Sequence, residues 1–155
     1  MSVPRHIELW LHGFDHDPAS VVAPHPELRI HPFAKGTALR NGRLRETNWL
    51  IVERSFGYPT SWDEALDGLV AALGGEAALA GMLQRVGAKR QHVGFDLPID
   101  GSPNQEGAGL SLRSLQLLGR LNLELQFGFW PFDPGDPTHV DPEERREISD
   151  VDGPA

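Results

Sequence analysis

The sequence predicts an α+β fold, a two-layer sandwich in which two main helices cover one face of a mixed or antiparallel sheet of about five strands. Two observations predict this class. Apolar and polar residues alternate in several separate segments, and two other segments repeat apolar residues at helical spacing. The predicted order is strand, short helix, two strands, long helical unit, strand, helix and strand, which a sheet with helices packed on one side satisfies best.

The chain begins with a predicted strand and a short helix. Residues 7–12 alternate between apolar and polar side chains, and Trp10 lies on the polar side. Asp17 followed by Pro18 is typical of a helix start, because Asp accepts a backbone N–H and Pro has none to donate. One or two helical turns are therefore predicted at this point.

A hairpin and a buried strand are predicted next. The dipeptide Asn41-Gly42 separates residues 36–40 from residues 43–45 and predicts a type I′ turn, in which both central residues need a positive φ. The second arm continues into residues 48–53, whose almost continuous apolar run is typical of a buried central strand. Both arms are thus expected in the sheet.

The longest helical signal follows. Ser61 and Glu64 have the spacing of a capping box, and apolar residues then recur at helical spacing as far as Gly87. The dipeptide Gly74-Gly75 is expected to break or kink this unit, and Gly87 to end it. Residues 91–97 alternate as a further strand.

The last predicted elements are a helix over residues 110–121 and a closing strand over residues 122–130. The apolar stripe of this helix consists of Leu112, Leu115, Leu118 and Leu121. The closing strand alternates leucine and phenylalanine with polar residues, and Trp130 lies on the side opposite them.

Negative charge is concentrated at the C-terminal end of the 155-residue chain. Residues 131–155 hold eight carboxylates against two arginines, a net charge of −6, together with five prolines. Residues 1–130 hold twelve basic and fourteen acidic residues, a net charge of −2. The tail has too few apolar residues to offset the entropy lost on ordering, so we predict one folded domain, residues 1–130, with an extended or disordered appendage.

Composition excludes several classes of protein. The chain has no cysteine, which rules out disulfides, thiol nucleophiles and thiolate metal centres. No apolar run approaches the length of a membrane span and no signal peptide is recognisable, so a cytoplasmic location is expected, with no membrane partner. A nearly neutral domain is not typical of nucleic-acid binders, and no phosphate-binding fingerprint predicts a cofactor.

Several segments together resemble a known family. They are the strand at residues 7–11, the short helix before Pro24, Lys35-Gly36 followed by a strand with Asn48-Trp49, the long helix after Trp62 and the closing strand at residues 123–127. Over residues 6–130 this pattern resembles the small bacterial family known as Domain of Unknown Function 4279. The resemblance implies an α/β domain with no assigned chemistry, and therefore no catalytic residues to transfer.

Residues 12–17 form the richest polar cluster, with two histidines and two aspartates. Imidazole nitrogens and carboxylate oxygens bind divalent ions, so His12, Asp15 and His16 are a candidate metal site. One short turn rarely supplies a full set of ligands, and the distant residues that could complete this one are His25, His31 and His92. The alternative, which the sequence favours, is that Asp17 caps a helix and Asp15 is a turn residue.

A candidate interaction surface follows from the tryptophans and the hairpin. If helices cover the apolar side of the sheet, Trp10 and Trp130 both lie on its open face, and exposed tryptophan is typical of binding surfaces. The hairpin adds the basic side chains of Arg40, Arg43 and Arg45. These five residues are the predicted contacts with a partner.

The sequence therefore favours a non-enzymatic protein-interaction domain, of the kind with which an immunity or antidote protein neutralises a basic toxin. The expected partner is an unidentified protein. A metal-binding or small-ligand-binding protein, or a hydrolase, that uses residues 12–17 is the alternative. A third hypothesis is a homo-oligomer in which two copies bury the open face against each other.

Overall fold

A computed structural model describes residues 5–99 and 109–131 and confirms the α+β class. The strands are β1 (Arg5–Phe14), β2 (Arg29–Phe33), β3 (Asn48–Phe56), β4 (Arg90–Ile99) and β5 (Glu124–Pro131). The helices are α1 (Trp62–Ala72), α2 (Glu76–Val86) and α3 (Leu112–Arg120). Apart from Pro131, the acidic tail lies outside the described residues, so its predicted character stays a prediction.

The five strands form one mixed sheet in the order β2-β3-β1-β4-β5. Strand β1 is antiparallel to both β3 and β4, and β2 is antiparallel to β3. Strands β4 and β5 are parallel, as expected for two strands joined through a helix, here α3. Strand β1 therefore lies at the centre of the sheet.

All three helices bury their apolar side chains against one face of the sheet, which we call the core face. In the strand register Leu9 of β1 lies beside Val52 of β3 and Val93 of β4, and all three side chains are buried. They belong to a single apolar cluster that also contains residues of α1, α2 and α3. The two-layer arrangement predicted from the sequence is thus confirmed.

The long helical unit has the predicted start, break and end. The Ser61 hydroxyl accepts the Glu64 N–H while the Glu64 carboxylate accepts the Ser61 N–H, which completes the capping box. Gly74 and Gly75 have φ of 96° and 95°, a conformation that favours glycine, and they separate α1 from α2. Gly87, with a φ of 59°, ends α2.

Helices α1 and α2 meet at an angle of 68°. Within the described ranges, no single helix is long and apolar enough to cross a membrane, and only this bent pair, taken together, reaches that length and apolarity.

The hairpin prediction is wrong in two respects. The edge strand that pairs with β3 is β2, which precedes the hairpin. Residues 36–45 lie outside the five-stranded sheet and pair with each other through the bridge between Ala38 and Leu44 and neighbouring backbone hydrogen bonds. Strand β2 contains Pro32, but Pro is tolerated in an edge strand because its missing N–H need not bond to a neighbour.

The turn of the hairpin also differs from the predicted type I′. Gly42 has a φ of 80° but Asn41 does not have a positive φ. The Gly42 N–H donates to the Leu39 carbonyl (2.9 Å), and the Leu39 N–H donates to the Arg43 carbonyl (2.7 Å), the pattern of a three-residue loop closed by a glycine bulge. The Asn41 side chain accepts the Arg43 N–H (3.0 Å), and this hydrogen bond stabilises the observed turn in place of the predicted type I′ turn.

Helix α3 is rotated relative to the predicted leucine stripe. Leu118 and Leu121 are buried as expected, but Leu112 and Leu115 are 70% and 46% exposed. The side chain of Asp63 explains the rotation, because it accepts hydrogen bonds from the Ser114 hydroxyl and from the N–H and hydroxyl of Ser111, which caps α3. The hydrogen bond from Ser114 and those from Ser111 lower the pKa of the Asp63 carboxyl.

Candidate binding surface

The second face of the sheet, which we call the helix-free face, carries side chains that alternate with those of the core. In the part of the chain that the structure describes, the buried side chains of all three helices lie on the opposite side. The strand register places on this face His6, Glu8, Trp10 and His12 of β1, Arg29, His31 and Phe33 of β2, Trp49, Ile51 and Glu53 of β3, and His92 of β4.

An aromatic cluster occupies the middle of the helix-free face. The Trp10 ring stacks on the His92 ring, with 5.4 Å between centroids and 15° between planes. The edge of Trp49 meets Trp10 at 6.0 Å, and His12 meets Trp49 at 4.4 Å. All four rings are partly exposed, so they form a contiguous π surface open to solvent.

Two buried carboxylates lie next to this aromatic cluster. Glu8 and Glu53 are directly opposite each other in the register of β1 and β3, and they are only 3% and 5% exposed. The Trp10 indole N–H donates to Glu8 at 2.6 Å. The imidazoles of His6 and His31 lie 3.4 and 3.9 Å from Glu53. Buried carboxylates need such partners, because desolvating an uncompensated charge is costly.

The histidine that stacks on Trp10 is neutral at physiological pH. Burial, together with the nearby charge of Arg90, lowers the pKa of His92 to about 4. The Trp10 and His92 rings therefore form a neutral aromatic pair. The carboxylates that the register places on this face are Glu8, Glu53, Asp96 and Glu124, of which Glu8 and Glu53 are buried.

The structure places the predicted hairpin arginines in different environments. Arg45 is 7% exposed, and its guanidinium lies over the rings of Phe33 (4.7 Å) and Trp49 (5.7 Å) on the helix-free face. Its predicted role as a surface contact is therefore wrong, because its stem and charge are already buried within the fold. Arg40 and Arg43 are exposed on the hairpin, and Arg43 lies 3.9 Å from Glu46.

Of the two predicted tryptophans, the structure describes the side chain of Trp10. Trp10 lies on the helix-free face, as the alternation of β1 predicted. Trp130 belongs to β5 and pairs with Pro98 in the register, but its side chain lies outside the described residues. Its predicted place on the open face stays a prediction.

The predicted metal ligands of residues 12–17 are not brought together. His12 lies on the helix-free face, with Nε2 3.0 Å from the Thr47 hydroxyl, whereas Asp15 and His16 come after the end of β1. Asp17 caps the 3-10 turn Pro18–Ser20 by accepting the Ala19 N–H. Within residues 5–99 and 109–131, no three histidine, aspartate or glutamate side chains are grouped to hold a metal ion.

A separate pocket of about 550 Å³ opens at the C-terminal end of β1, and we call it the bulge pocket. The register of β1 shifts between His12 and Phe14, at Gly13, and this bulge directs the chain away from the sheet. Asn48 holds the pocket wall, because its Nδ2 donates to the carbonyls of Phe14 (2.9 Å) and His16 (3.0 Å). Asp15 and His16, the other two candidates, line this pocket.

Comparison of the chain with protein-family models, with curated proteins and with solved structures found no match in any of the three. The resemblance to Domain of Unknown Function 4279 therefore stays a prediction, and the two candidate sites must be interpreted from their own chemistry.

Sequence reasoning missed the carboxylates of the helix-free face and the basic lining of the bulge pocket. Glu8 was on the correct face in the alternation of β1, so a signal for it existed. Glu53 gave no signal, because only the pairing of β3 with β1 brings it opposite Glu8.

Proposed function

We propose that the protein is a non-enzymatic protein-interaction domain and that its helix-free face binds the partner. The observation that carries this proposal is the partly exposed aromatic cluster centred on Trp10, on the side of the sheet opposite the helices. Tryptophan and other aromatic residues are enriched at the energetic centres of protein interfaces, where they supply large contact areas at low entropy cost.

The chemistry of this face supports a partner with basic side chains. The aromatic rings of this face can accept a guanidinium, because that of Arg45 lies over the rings of Phe33 and Trp49. Glu8 and Glu53 contribute negative charge beside Trp10, and residues 131–155 carry −6 of the net charge of −8. A basic toxin neutralised by an antidote protein is one partner of this kind, and it would be attracted by the same charges.

Affinity capture with matched variants tests the proposal. The tagged full chain is used as bait in extracts of the source organism, as wild type, as Trp10→Ala and as Tyr58→Ala, a control because Tyr58 is 75% exposed outside the strands. We expect a basic protein that wild type and Tyr58→Ala bind equally, and that Trp10→Ala binds about thirtyfold more weakly, as a central interface residue contributes roughly 2 kcal/mol or more.

Two measurements make the result decisive. The Trp10→Phe variant keeps an apolar ring but loses the N–H that donates to Glu8, so we expect its affinity to lie between those of wild type and Trp10→Ala. Circular dichroism spectra like that of wild type show that both variants are folded. Light scattering on the same variants detects a second copy as the partner. Equal recovery of the same proteins by wild type and Trp10→Ala would contradict the proposal.

A further inference from the structure

The bulge pocket contains both lysines of the chain. The sequence has twelve arginines but only two lysines, Lys35 and Lys89, and both line this pocket. The two residue types are not equivalent. Arginine presents a wide planar fork, whereas the lysine ammonium is a compact point charge with three rotatable N–H donors. The pocket thus contains both lysine ammonium groups of the sequence.

The backbone brings the two lysines together from distant parts of the sequence. Lys35 comes shortly after β2, and its N–H donates to the side-chain oxygen of Asn48 at 2.7 Å. Lys89 comes just before β4, and its N–H donates to the Gly13 carbonyl at 3.1 Å. The two backbone positions are therefore fixed by β1 and β3, while both side chains are exposed at the pocket.

Gly13 makes room for the lysine stem at the bulge. It has a φ of +75°, and a Cβ at this position would lie 3.1 Å from the Cβ and Cδ atoms of Lys89. A larger residue would be strained in its backbone and would displace the Lys89 side chain. The bulge and the position of Lys89 thus depend on the same glycine.

The local charge of the pocket favours an anion. Among residues 5–99 and 109–131, neither Lys35 nor Lys89 forms an ion pair. Two carboxylates, Asp15 and Glu46, also line the pocket, and the exposed guanidinium of Arg43 lies 3.9 Å from Glu46. The three cationic side chains of Lys35, Lys89 and Arg43 therefore outnumber the two carboxylates, and the imidazole of His16 adds a further hydrogen-bonding group.

We propose that the bulge pocket binds a small organic oxyanion, a carboxylate or a phosphate, between the ammonium groups of Lys35 and Lys89. A volume of about 550 Å³ suits a small molecule. The Asp15 carboxylate would accept a hydrogen bond from a hydroxyl or amino group of the same ligand. This site goes beyond the proposed function, because it lies at the end of β1 and not on the helix-free face.

Because the chain has two lysines, their side chains can be observed directly. Reductive methylation of the full chain with ¹³C-formaldehyde labels Lys35, Lys89 and the terminal amine, and it keeps the positive charge. Pyrophosphate and succinate are then added in separate titrations, each compared with sodium chloride at equal ionic strength. We expect both lysine signals to shift to saturation with at least one of the two probes.

The probes distinguish the two sources of the oxyanion. Saturation with pyrophosphate alone assigns a phosphate ligand, saturation with succinate alone assigns a carboxylate, and either result supports the proposal. Shifts no larger than those with chloride would overturn it. So would a terminal-amine signal that follows the same curve as the lysines, because that indicates general ion binding.

Charge-removing variants complete the test. Lys35→Gln and Lys89→Gln should each weaken the effective probe about tenfold, read from the remaining lysine signal, and both residues are exposed, so the fold should be kept. Arg85→Gln is the matched control, because Arg85 is an exposed cation on α2 outside the pocket. An equal loss in Arg85→Gln would overturn the proposal.

Discussion

The core face of the sheet places Leu9, Val52 and Val93 side by side, whereas the helix-free face places Glu8, Glu53 and Trp10 at neighbouring positions of the same strands. Both sets include buried residues, but they are buried by different means. The core face is covered by apolar side chains of three helices. The helix-free face is shielded by its own aromatic rings and by the side chain of Arg45 from the hairpin.

This difference shows how one sheet combines stability with recognition. Apolar burial is non-directional, so the core face tolerates any well-packed arrangement and contributes most of the stability. Buried carboxylates require particular hydrogen-bond and charge partners, such as the Trp10 N–H for Glu8 and His6 for Glu53. The helix-free face therefore gains specific geometry, which a binding surface needs, at some cost in stability.

The largest expected effect comes from truncating one buried aliphatic residue on each face. Leu9 and Ile51 are 0% and 1% exposed, but only Leu9 belongs to the apolar core cluster. Leu9→Ala should lower the free energy of unfolding by about 3–5 kcal/mol, and Ile51→Ala by about 2 kcal/mol, because the partly exposed side chains around Ile51 can relax into the space. Urea denaturation measures both values. Equal losses would show that the helix-free face is packed as tightly as the core.

A smaller effect is expected from the guanidinium that covers the helix-free face. Arg45→Met keeps an apolar stem but removes the charge over Phe33 and Trp49, and should cost about 1–2 kcal/mol. The exposed Arg43→Met is the control and should change stability by less than about 0.5 kcal/mol. If the two variants are equally stable by urea denaturation, the position of Arg45 over the rings contributes nothing to the fold.

The smallest effect at neutral pH is expected from His92, and it grows as the solution becomes acidic. The pKa of His92 is about 4 in the folded protein against 6.5 for the ordinary group, so between these values the unfolded chain binds a proton that the folded chain does not. The contribution of His92 to the free energy of unfolding should therefore be fully present above about pH 6.5 and should decrease as the pH falls towards 4.

Comparison with His92→Gln isolates this contribution. The loss of stability between pH 7 and pH 4.5, measured by urea denaturation, should be smaller in the variant than in wild type. An unchanged pH dependence would show that the fold does not hold His92 neutral, and that Trp10 and His92 do not form a neutral aromatic pair.

Local signals predicted the elements well where a short stretch of sequence controls the backbone. The Ser61 capping box, the break at Gly74 and Gly75, and the end at Gly87 were all identified, because each depends on hydrogen bonds or φ values within a few residues. Strand β2 was missed because its pairing with β3 is a long-range contact. The rotation of α3 was missed because Asp63, far away in sequence, sets it.

In the candidate sites, too, local features were predictable from the sequence and long-range contacts were not. The place of Trp10 on the open face was predictable, since side chains alternate along any strand. His12 and His16, members of the candidate metal site that the sequence did not favour, are close in sequence, but His12 lies on the helix-free face and His16 lines the bulge pocket beyond the bulge at Gly13. The pairing of Glu8 with Glu53 depends on strand register, and the presence of Lys35 and Lys89 in one pocket depends on where two separate loops lie.

The sequence by itself determined the α+β class, the helix starts and ends, and which side of β1 is apolar. These properties depend on side-chain periodicity and on local backbone chemistry, which act within a few residues. Only the tertiary structure decided that Glu8 faces Glu53, that Arg45 lies over Trp49, and that the two lysines share one pocket. Such contacts depend on strand register and on the packing of distant segments, which are set by the free energy of the whole chain.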